Sequence, residues 1–345
     1  MEKVLKVGLV GLGFMGRGHL DNYIRLEKEG YAVKLVAICD IDEEKLFGGK
    51  EVKGNIAVGT GKYDLSKYNL YTSVDEMLEK EELDYLDTPL PTFIHAEVAI
   101  KALNKGLHVL CEKPMALNSK DCMAMIEASK KNNKLLMLGH CLRFWPAYEY
   151  LKETVESNRY GNVISGYFFR GGVTPIWSYK NWLLEKDKGG GALFDQHIHD
   201  VDTINWLFGK PKAVSTIGKV VIEGSGYDAL STNYVYEDGK VINTQDDWTI
   251  NGEFGFEMTY RVNFEKGCLV YQKGKVTDYP VDGKKFEAEL SKDDGYYREI
   301  KYFIDCILNN SPVDRNTPES NMETIKIAEA EETSANNKGV LTEIK

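Results

Sequence analysis

The stretch GGGALFDQHIHDVD, residues 189–202, concentrates side chains that can hold or move a proton. If the chain after Gly191 is helical, Asp195 and His199 stand at positions i and i+4 on one face, and His197 points away from it. An imidazole titrates in the range needed to accept a hydroxyl proton, and a neighbouring carboxylate can orient the imidazole. The same residues could instead cap a helix and face solvent, so the interpretation depends on the rest of the chain.

A lysine in the segment CEKP, residues 111–114, is the second candidate for chemistry. Lys113 stands at the end of a predicted strand, and open α/β sheets bind ligands at the carboxyl ends of their strands. An ammonium group there can hold a substrate hydroxyl and stabilise the alkoxide that develops as a hydride leaves. Alone, such a lysine is more often a solvated residue. Pro114 ends the strand, and the sequence leaves the isomer of the Lys113–Pro114 bond open.

The segment GLGFMG, residues 11–16, has the GxGxxG spacing of a dinucleotide-binding turn. It follows a predicted strand at 4–10 and opens a predicted helix, which is the context that the motif requires. Gly11 permits a tight turn, Gly13 allows the backbone to approach a pyrophosphate, and Gly16 allows close packing of helix and sheet. These features together predict a dinucleotide site.

An acidic residue at the end of the second predicted strand indicates which dinucleotide is bound. Asp40 lies 24 residues after Gly16, where a carboxylate can bind both hydroxyls of the adenosine ribose. The same carboxylate would repel a 2′-phosphate. We therefore expect NAD, and we leave use of NADP open.

Strands alternate with helical patterns through the first part of the chain, which is typical of a parallel sheet covered on both faces. The predicted strands cover residues 4–10, 33–39, 84–90, 107–114 and 134–141. The predicted helices begin at about Gly13 and cover residues 73–83, 95–106 and 119–133.

The pattern changes in the second part of the chain. From Lys212 to Glu289, short strands rich in Val, Tyr, Thr and Phe are separated by turns, which indicates an antiparallel sheet. Helices are predicted at 296–310 and 321–337. We expect a dinucleotide-binding domain over residues 1–125 and a substrate-binding and oligomerisation domain over residues 126–345.

Length and composition limit the classes of protein that fit. A chain of 345 residues is typical of two domains. The net charge is −10 and the basic residues are scattered, so we expect neither nucleic acid nor a membrane surface as a partner. No apolar run approaches the about 20 residues of a membrane helix, and the N-terminus does not resemble a signal peptide. Six separated cysteines predict reduced thiols, no metal site and a cytoplasmic location.

The chain resembles the glucose–fructose oxidoreductase, inositol dehydrogenase and rhizopine-catabolism (Gfo/Idh/MocA) family over nearly its whole length. The segments that carry the resemblance are GLGFMG (11–16), PTFIHAEVAIKALNKGLHVLCEKP (91–114), RFWPAY (143–148), GGGALFDQHIHDVD (189–202) and EIKYFIDCI (299–307). The resemblance implies an α/β Rossmann nucleotide-binding domain followed by an α+β domain with a large, mainly antiparallel open sheet. None of these segments identifies a substrate.

The resemblance also implies roles for three residues. The lysine of the family's Glu-Lys-Pro motif maps onto Lys113, and its Asp-x-x-x-His pair maps onto Asp195 and His199. We interpret His199 as the general base, Lys113 as the group that stabilises the hydroxyl and alkoxide, and Asp195 as a positioning group. All three are also expected to bind substrate.

Further site residues are predicted around this centre. The expected cofactor-binding residues are Gly11, Gly13, Phe14, Met15, Gly16, Asp40, Pro91, Thr92, His95, Glu112 and Lys113. Arg143 and Trp182 are expected to help bind substrate, because polyols offer hydroxyls to a guanidinium and C–H faces to an aromatic ring.

Two features depart from the family pattern. Asp87 and Pro89 stand in a predicted strand where members usually carry apolar residues. Thr92 stands where many members carry asparagine, which weakens the expected ribose contact there.

These observations predict an NAD-dependent dehydrogenase that oxidises a secondary hydroxyl of a sugar, cyclitol or related polyol. Two alternatives stay open. One is an NAD-dependent enzyme that cleaves glycosides through transient oxidation, and the other is a catalytically silent NAD-binding sensor. Because an exposed apolar sheet face is an association site, we expect a homodimer or homotetramer formed through the C-terminal sheet.

Overall fold

The computed structural model describes residues 3–49, 52, 54, 59 and 63–345. The chain divides into two compact units. The first is drawn from residues 1–140, 177–182 and 296–322, and the second from residues 141–176, 183–295 and 323–345. In the described residues, no helix combines the length and the apolar character needed to cross a membrane.

A parallel sheet forms the core of the first unit, as the strand–helix alternation predicts, and it has six strands where the sequence patterns indicate five. Its strands are β1 (Leu5–Val10), β2 (Val33–Cys39), β3 (Asn69–Tyr71), β4 (Tyr85–Thr88), β5 (His108–Glu112) and β6 (Leu136–Gly139). Their spatial order is β3-β2-β1-β4-β5-β6. The order reverses between β1 and β4, and ligands of open α/β sheets bind outside the carboxyl ends of the strands at such a point. The glycine turn therefore follows β1 at this crevice, and Lys113 follows β5 on the same edge of the sheet.

Helices accompany this sheet. They are α1 (Phe14–Lys28), α2 (Glu43–Leu46), α3 (Val74–Lys80), α4 (His95–Asn104) and α5 (Ser119–Asn132). The expected domain boundary after residue 125 lies inside α5. The first unit continues to His140 because β6 pairs with β5 and adds the last strand of the sheet.

The second unit is built on a nine-stranded sheet. Its strands are β7 (Val163–Gly172), β8 (Ala213–Lys219), β9 (Ala229–Val235), β10 (Val241–Asp247), β11 (Phe256–Phe264), β12 (Gly267–Gln272), β13 (Lys275–Pro280), β14 (Phe286–Glu287) and β15 (Thr342–Glu343). Their order is β14-β13-β12-β11-β7-β10-β9-β8-β15. β7 and β10 run parallel, and the other neighbouring strands run antiparallel. The predicted antiparallel sheet is confirmed, and its central strand β7 is an element that the sequence patterns did not reveal.

The remaining helices complete the chain. They are α6 (Pro146–Glu156), α7 (Lys186–Gly189), α8 (Gly191–Asp195), α9 (Ile198–Phe208), α10 (Gly295–Leu308) and α11 (Pro318–Asn336). All six cysteines are free thiols, and five of them are buried.

Candidate functional site

The three glycines of the GLGFMG turn each meet a different steric demand. Gly11 has a φ of +103°, and a Cβ there would lie 2.5 Å from the carbonyl oxygen of Pro89. A Cβ on Gly16 would lie 1.9 Å from the carbonyl oxygen of Gly11, so only glycine lets α1 approach the turn. No described atom lies within 4 Å of a Cβ built on Gly13. The space beside Gly13 is thus open to a ligand.

The N-terminus of α1 has the properties of an anion site. Gly13 is the N-cap, and within residues 13–28, all of which the structure describes, there is no side-chain cap and no acidic residue in the first turn. Phe14 and Met15 in that first turn are half-buried. The first amides of an α-helix lack partners within the helix and carry the positive end of its dipole. Together with the space beside Gly13, they suit the pyrophosphate of a dinucleotide.

The carboxylate of Asp40 is buried at the end of β2 and is held by three donors. It accepts hydrogen bonds from the backbone N–H groups of Leu12, at 2.7 Å, and Asp42, at 2.8 Å. It also accepts a hydrogen bond from the ammonium group of Lys45, whose Nζ lies 2.9 Å from Oδ2. The site therefore contains a cation beside the carboxylate predicted to bind ribose, a feature that the sequence patterns did not reveal.

Lys113 is the half-buried member of an otherwise buried segment. In residues 109–116, all described by the structure, every other residue is buried. The backbone N–H of Lys113 donates to Glu112 Oε2 at 3.0 Å, and the Lys113–Pro114 peptide bond is cis. The Lys113 side chain therefore projects from a well-packed backbone at the carboxyl edge of the sheet.

His95, predicted to bind the cofactor, makes internal contacts at the start of α4. It is fully buried, with Nδ1 2.8 Å from the carbonyl oxygen of Pro114 and Nε2 2.7 Å from that of Leu90. Burial lowers the pKa of His95, whereas the hydrogen bonds to Pro114 and Leu90 act to raise it. His95 thus joins the loop that contains Leu90 to the loop that contains Pro114. Pro91, also predicted at the cofactor, is half-buried. Thr92, also predicted at the cofactor, is buried.

The glycine-rich stretch of the second unit forms two helices rather than one. The condition for placing Asp195 and His199 on one helix face, a continuous helix after Gly191, is not met, because α8 ends at Asp195 and α9 begins at Ile198. The backbone N–H of His197 bonds to the carbonyl oxygen of Ala192, five residues back, which widens the turn between the helices. Asp195 and His199 therefore belong to different helices.

Asp195 and His199 are nevertheless the two side chains that escape burial in this stretch. In residues 191–204, all of which the structure describes, Asp195 and His199 are half-buried and the other twelve residues are buried. His197 is fully buried, and its Nε2 lies 3.1 Å from the carboxylate of Glu331. The segment thus presents one carboxylate and one imidazole at the surface of its unit and uses the second imidazole internally.

Arg143, predicted to bind substrate, forms a buried ion pair. Its Nε and Nη2 donate to the two carboxylate oxygens of Asp202 at 2.8 and 2.7 Å, and the hydroxyl of Thr324 donates to the same carboxylate at 2.9 Å. Arg143 is 2% exposed. Its guanidinium is therefore committed to an internal contact. Trp182, the other predicted substrate residue, is half-buried in a 3₁₀ segment at Tyr179–Leu184.

Removing Asp202 should strongly destabilise the second unit. We expect Asp202→Ala to lower the free energy of unfolding by about 3–5 kcal/mol, because it leaves the buried charge of Arg143 unpaired. The matched control is Asp195→Ala on the same stretch, where a half-buried carboxylate is removed and a change of about 0.5 kcal/mol is expected. Urea unfolding followed by tryptophan fluorescence measures both. Equal midpoints for the two variants would contradict the structural role of the pair.

A buried carboxylate in the first unit belongs to Asp87, which the sequence shows only as a departure from the family pattern. Asp87 lies on β4, is fully buried and contacts His19 Nδ1 at 2.8 Å through Oδ2. The available signal was its charge within a predicted buried strand, because a buried charge needs a partner. The sequence does not show which residue that partner is.

Two family models together match most of the chain. One, described as "Oxidoreductase family, NAD-binding Rossmann fold", matches residues 5–140, and the other, "GFO/IDH/MocA C-terminal domain", matches residues 148–270. The chain therefore belongs to the Gfo/Idh/MocA family, and its first matched region is an NAD-binding Rossmann fold.

Individual proteins agree with this membership. An uncharacterized oxidoreductase from Streptococcus pneumoniae is 30% identical over 226 residues, which are 65% of this chain and 56% of that protein. An inositol 2-dehydrogenase from Salmonella paratyphi B is 29% identical over 206 residues, which are 59% of this chain and 54% of that protein. The chain thus spans little more than half the length of these curated relatives.

The solved structure of a levoglucosan dehydrogenase in complex with NADH and levoglucosan has the same fold. It matches with a TM-score of 0.83 and 20% identity over 99% of both chains. At this identity the likeness establishes the fold, including both sheets.

Proposed function

We propose that the protein is an NAD-dependent dehydrogenase that oxidises a secondary hydroxyl of a sugar, cyclitol or related polyol by reversible hydride transfer. The observation that carries the proposal is the selective exposure of Asp195 and His199 in a stretch that is otherwise buried. Half-buried Lys113 at the edge of a dinucleotide-binding sheet supports it. So do relatives named for a cyclitol and an anhydrosugar, inositol 2-dehydrogenase and levoglucosan dehydrogenase.

Each proposed residue has a defined task in this reaction. When bound, the nicotinamide supplies the acceptor for the hydride that leaves the carbinol carbon. His199 accepts the hydroxyl proton as general base. Lys113 holds the hydroxyl oxygen and stabilises its developing negative charge. Asp195 holds a neighbouring hydroxyl or orients His199. In the reverse direction, the imidazolium of His199 returns the proton.

The cofactor would be held by the residues of the glycine turn. The helix N-terminus at Gly13 would take the pyrophosphate, and Asp40 would take the ribose hydroxyls. Glu112 and His95 would contribute by holding the backbone on either side of Lys113–Pro114. The Asp40 carboxylate accepts from ribose hydroxyls and would repel a 2′-phosphate, so this set of groups favours NAD over NADP.

A substrate panel tests the proposed function directly. Cyclitols, aldoses, sugar acids and glycosides are each incubated with NAD and with NADP, absorbance is followed at 340 nm, and release of free sugar from the glycosides is measured. Lasting absorbance with a free polyol or sugar is the expected result. Glycoside cleavage without lasting absorbance would favour an enzyme that re-reduces its product. Binding of NAD with no reaction on the whole panel would favour a silent sensor.

Cofactor preference should depend on Asp40 together with Lys45. We expect Asp40→Ala to raise the Kd for NAD by about 10- to 100-fold, because a hydrogen bond to a charged group contributes about 1.5–3 kcal/mol. The same change should improve NADP binding, since the Lys45 ammonium is then available to a 2′-phosphate. The double variant Asp40→Ala with Lys45→Ala is the control and should lose the gain for NADP. Fluorescence titration with both dinucleotides measures the effect, and equal NADP affinities in the two variants would contradict it.

We also propose that the nine-stranded sheet associates with a second copy of the chain. Along β9 and β10, buried and more exposed residues alternate, so one face of this part of the sheet is buried and the other faces out. The outward face carries the apolar side chains of Val235, Val241 and Ile217 of β8 among polar ones such as Asn233 and Gln245. Exposed apolar faces favour association. Light scattering coupled to size-exclusion chromatography measures the mass in solution.

A further inference from the structure

A buried cluster of three charged groups includes Glu112, the last residue of β5 and the residue before Lys113. His19 on α1 stands between two carboxylates, with Nδ1 2.8 Å from Asp87 Oδ2 on β4 and Nε2 3.1 Å from Glu112 Oε1 on β5. The side chains of His19 and Asp87 are fully buried, and that of Glu112 is 5% exposed. The three groups come from separate elements, so they join the helix to two neighbouring strands.

Contact with two carboxylates favours the protonated form of His19. A neutral imidazole carries one N–H, and its other nitrogen would then turn a lone pair toward a carboxylate. Only the imidazolium donates to both Asp87 and Glu112. Burial alone would lower the pKa of His19, but the charge and hydrogen bond of Asp87, joined by those of Glu112, raise it well above 6.5. Burial acts to raise the pKa of Glu112, and the hydrogen bond and charge of His19 lower it.

Further polar groups surround the three residues. The hydroxyl of Tyr23 donates to Asp87 Oδ2 at 2.8 Å, and the hydroxyl of Tyr85 donates to Tyr23 at 3.1 Å. Glu299 on α10 is buried, and one potential ligand atom each of His19, Glu112 and Glu299 lie within 4.8 Å of one another. Two alternatives would therefore balance the negative charge of these carboxylates: a proton on His19, or a divalent cation in its place.

The cluster also contacts the backbone of the proposed catalytic residue Lys113. While Oε1 of Glu112 accepts from His19, Oε2 accepts the backbone N–H of Lys113 at 3.0 Å. A Cβ on Gly139 of β6 would lie 2.8 Å from Glu112 Oε1, so the neighbouring strand packs closely against the carboxylate. Rotation of this carboxylate would break both contacts. The orientation of Glu112 is thus coupled to the backbone from which the Lys113 side chain projects.

We propose that Asp87, His19 and Glu112 form a buried ion triad that positions Lys113, which makes Asp87 and His19 positioning residues for the reaction. The effect on turnover rests on the proposed function, whereas the charge state of His19 and the order of the Lys113 backbone do not. Loss of the Asp87 charge leaves His19 with one carboxylate partner in a buried site. The imidazole then becomes neutral, and Glu112 loses its charged donor.

The first test is nuclear magnetic resonance of the full chain labelled with ¹⁵N-histidine, with His19→Gln used to assign the signal. We expect both ring nitrogens of His19 to be protonated at pH 8 in the parent protein and the ring to be neutral in Asp87→Asn. A neutral ring in the parent, or an unchanged imidazolium in the variant, would overturn the triad. So would one equivalent of divalent metal in the purified protein, measured by mass spectrometry, that is lost in Glu299→Gln.

The second test separates positioning from folding. Asp87→Asn should lower kcat by about tenfold, a modest part of the effect of a direct acid–base group, and leave the Kd for NAD within about twofold. The control is Tyr85→Phe, which removes a buried hydroxyl that donates to Tyr23 rather than to Asp87, and which should leave kcat unchanged. Equal kcat values in the parent and Asp87→Asn would overturn the positioning role. If Asp87→Asn does not fold, Tyr23→Phe removes one donor to Asp87 and should lower kcat by a smaller factor.

The dependence of kcat on pH should differ between the parent protein and Asp87→Asn. Because the pKa of His19 is raised in the folded protein, its stabilisation is present below about pH 6.5 and is lost as pH rises through the folded-state pKa. In Asp87→Asn that pKa falls, so the alkaline decline of kcat should begin at lower pH than in the parent. Hydrogen exchange of the segment around Lys113 should speed up over the same range. If the parent shows no polyol turnover at all, the proposed function fails, and the resonance and exchange measurements still decide the triad.

Discussion

Replacement of Lys113 or of His199 by alanine is expected to lower kcat for polyol oxidation by about 100-fold or more, the usual scale for an acid–base group. The Kd for NAD should change by no more than about twofold, because His199 is not among the predicted cofactor-binding residues and the Lys113 ammonium is proposed to act on the substrate hydroxyl. Without the imidazole the hydroxyl proton has no acceptor, and without the ammonium the alkoxide charge is unsupported. Initial rates at 340 nm and fluorescence titration with NAD measure the two quantities separately.

The double variant makes this prediction sharper. Residues that act in one chemical step show strongly non-additive effects, so Lys113→Ala with His199→Ala should be little slower than the slower single variant. Lys120→Ala removes an exposed lysine seven residues further along the chain and serves as the control with normal kinetics. Near-normal rates in both single variants would refute the assignment. Fully multiplicative losses in the double variant would mean that the two groups act in separate steps.

Substitution of two glycines in the same turn should have opposite consequences. Gly13 has an extended backbone with φ of −75° and open space where a Cβ would be, so Gly13→Ala should lower the stability by no more than about 1 kcal/mol, the usual cost of alanine at an N-cap. The added methyl group occupies the space proposed for the pyrophosphate, and the Kd for NAD should rise by about tenfold or more. Gly16→Ala, in contrast, should destabilise the first unit by about 3 kcal/mol or more, because a Cβ 1.9 Å from a backbone oxygen forces the helix away from the turn.

Thermal unfolding and NAD titration distinguish the two glycine variants. The pair tests the cofactor site without reference to any substrate. A stable Gly13→Ala protein with unchanged NAD affinity would contradict the position proposed for the pyrophosphate. A Gly16→Ala protein as stable as the parent would contradict the close approach of α1 to Gly11.

Local patterns predicted the parts of the molecule that depend on local physics. The glycine spacing, the strand before it and the strand that ends at Lys113 are each decided within a few residues, and the parallel sheet follows from their alternation with helices. The same holds for the strand-and-turn pattern of the second sheet. The grouping of Asp195 with His199 on one face is conditional on a helix that continues past Gly191, and the break between α8 and α9 removes that condition.

Local sequence patterns do not identify contacts between residues that are far apart in the chain. Arg143 pairs with Asp202 across 59 residues, and His19 meets Asp87 across 68 and Glu112 across 93. In each case the sequence showed an isolated polar residue whose partner could be any of many. Strand β7 was missed for a related reason, since its two neighbours in the sheet begin at residues 241 and 256.

The division of the chain has a consequence for its synthesis on the ribosome. The first unit includes residues 296–322, which emerge only after all nine-stranded-sheet segments up to β14 have been made. Phe303 from this late segment packs edge-on against Tyr85 of β4, with ring centroids 5.6 Å apart. The first unit is therefore completed only after most of the second unit has been synthesised, and a nascent chain that stops at His140 lacks part of the hydrophobic interior of the first unit.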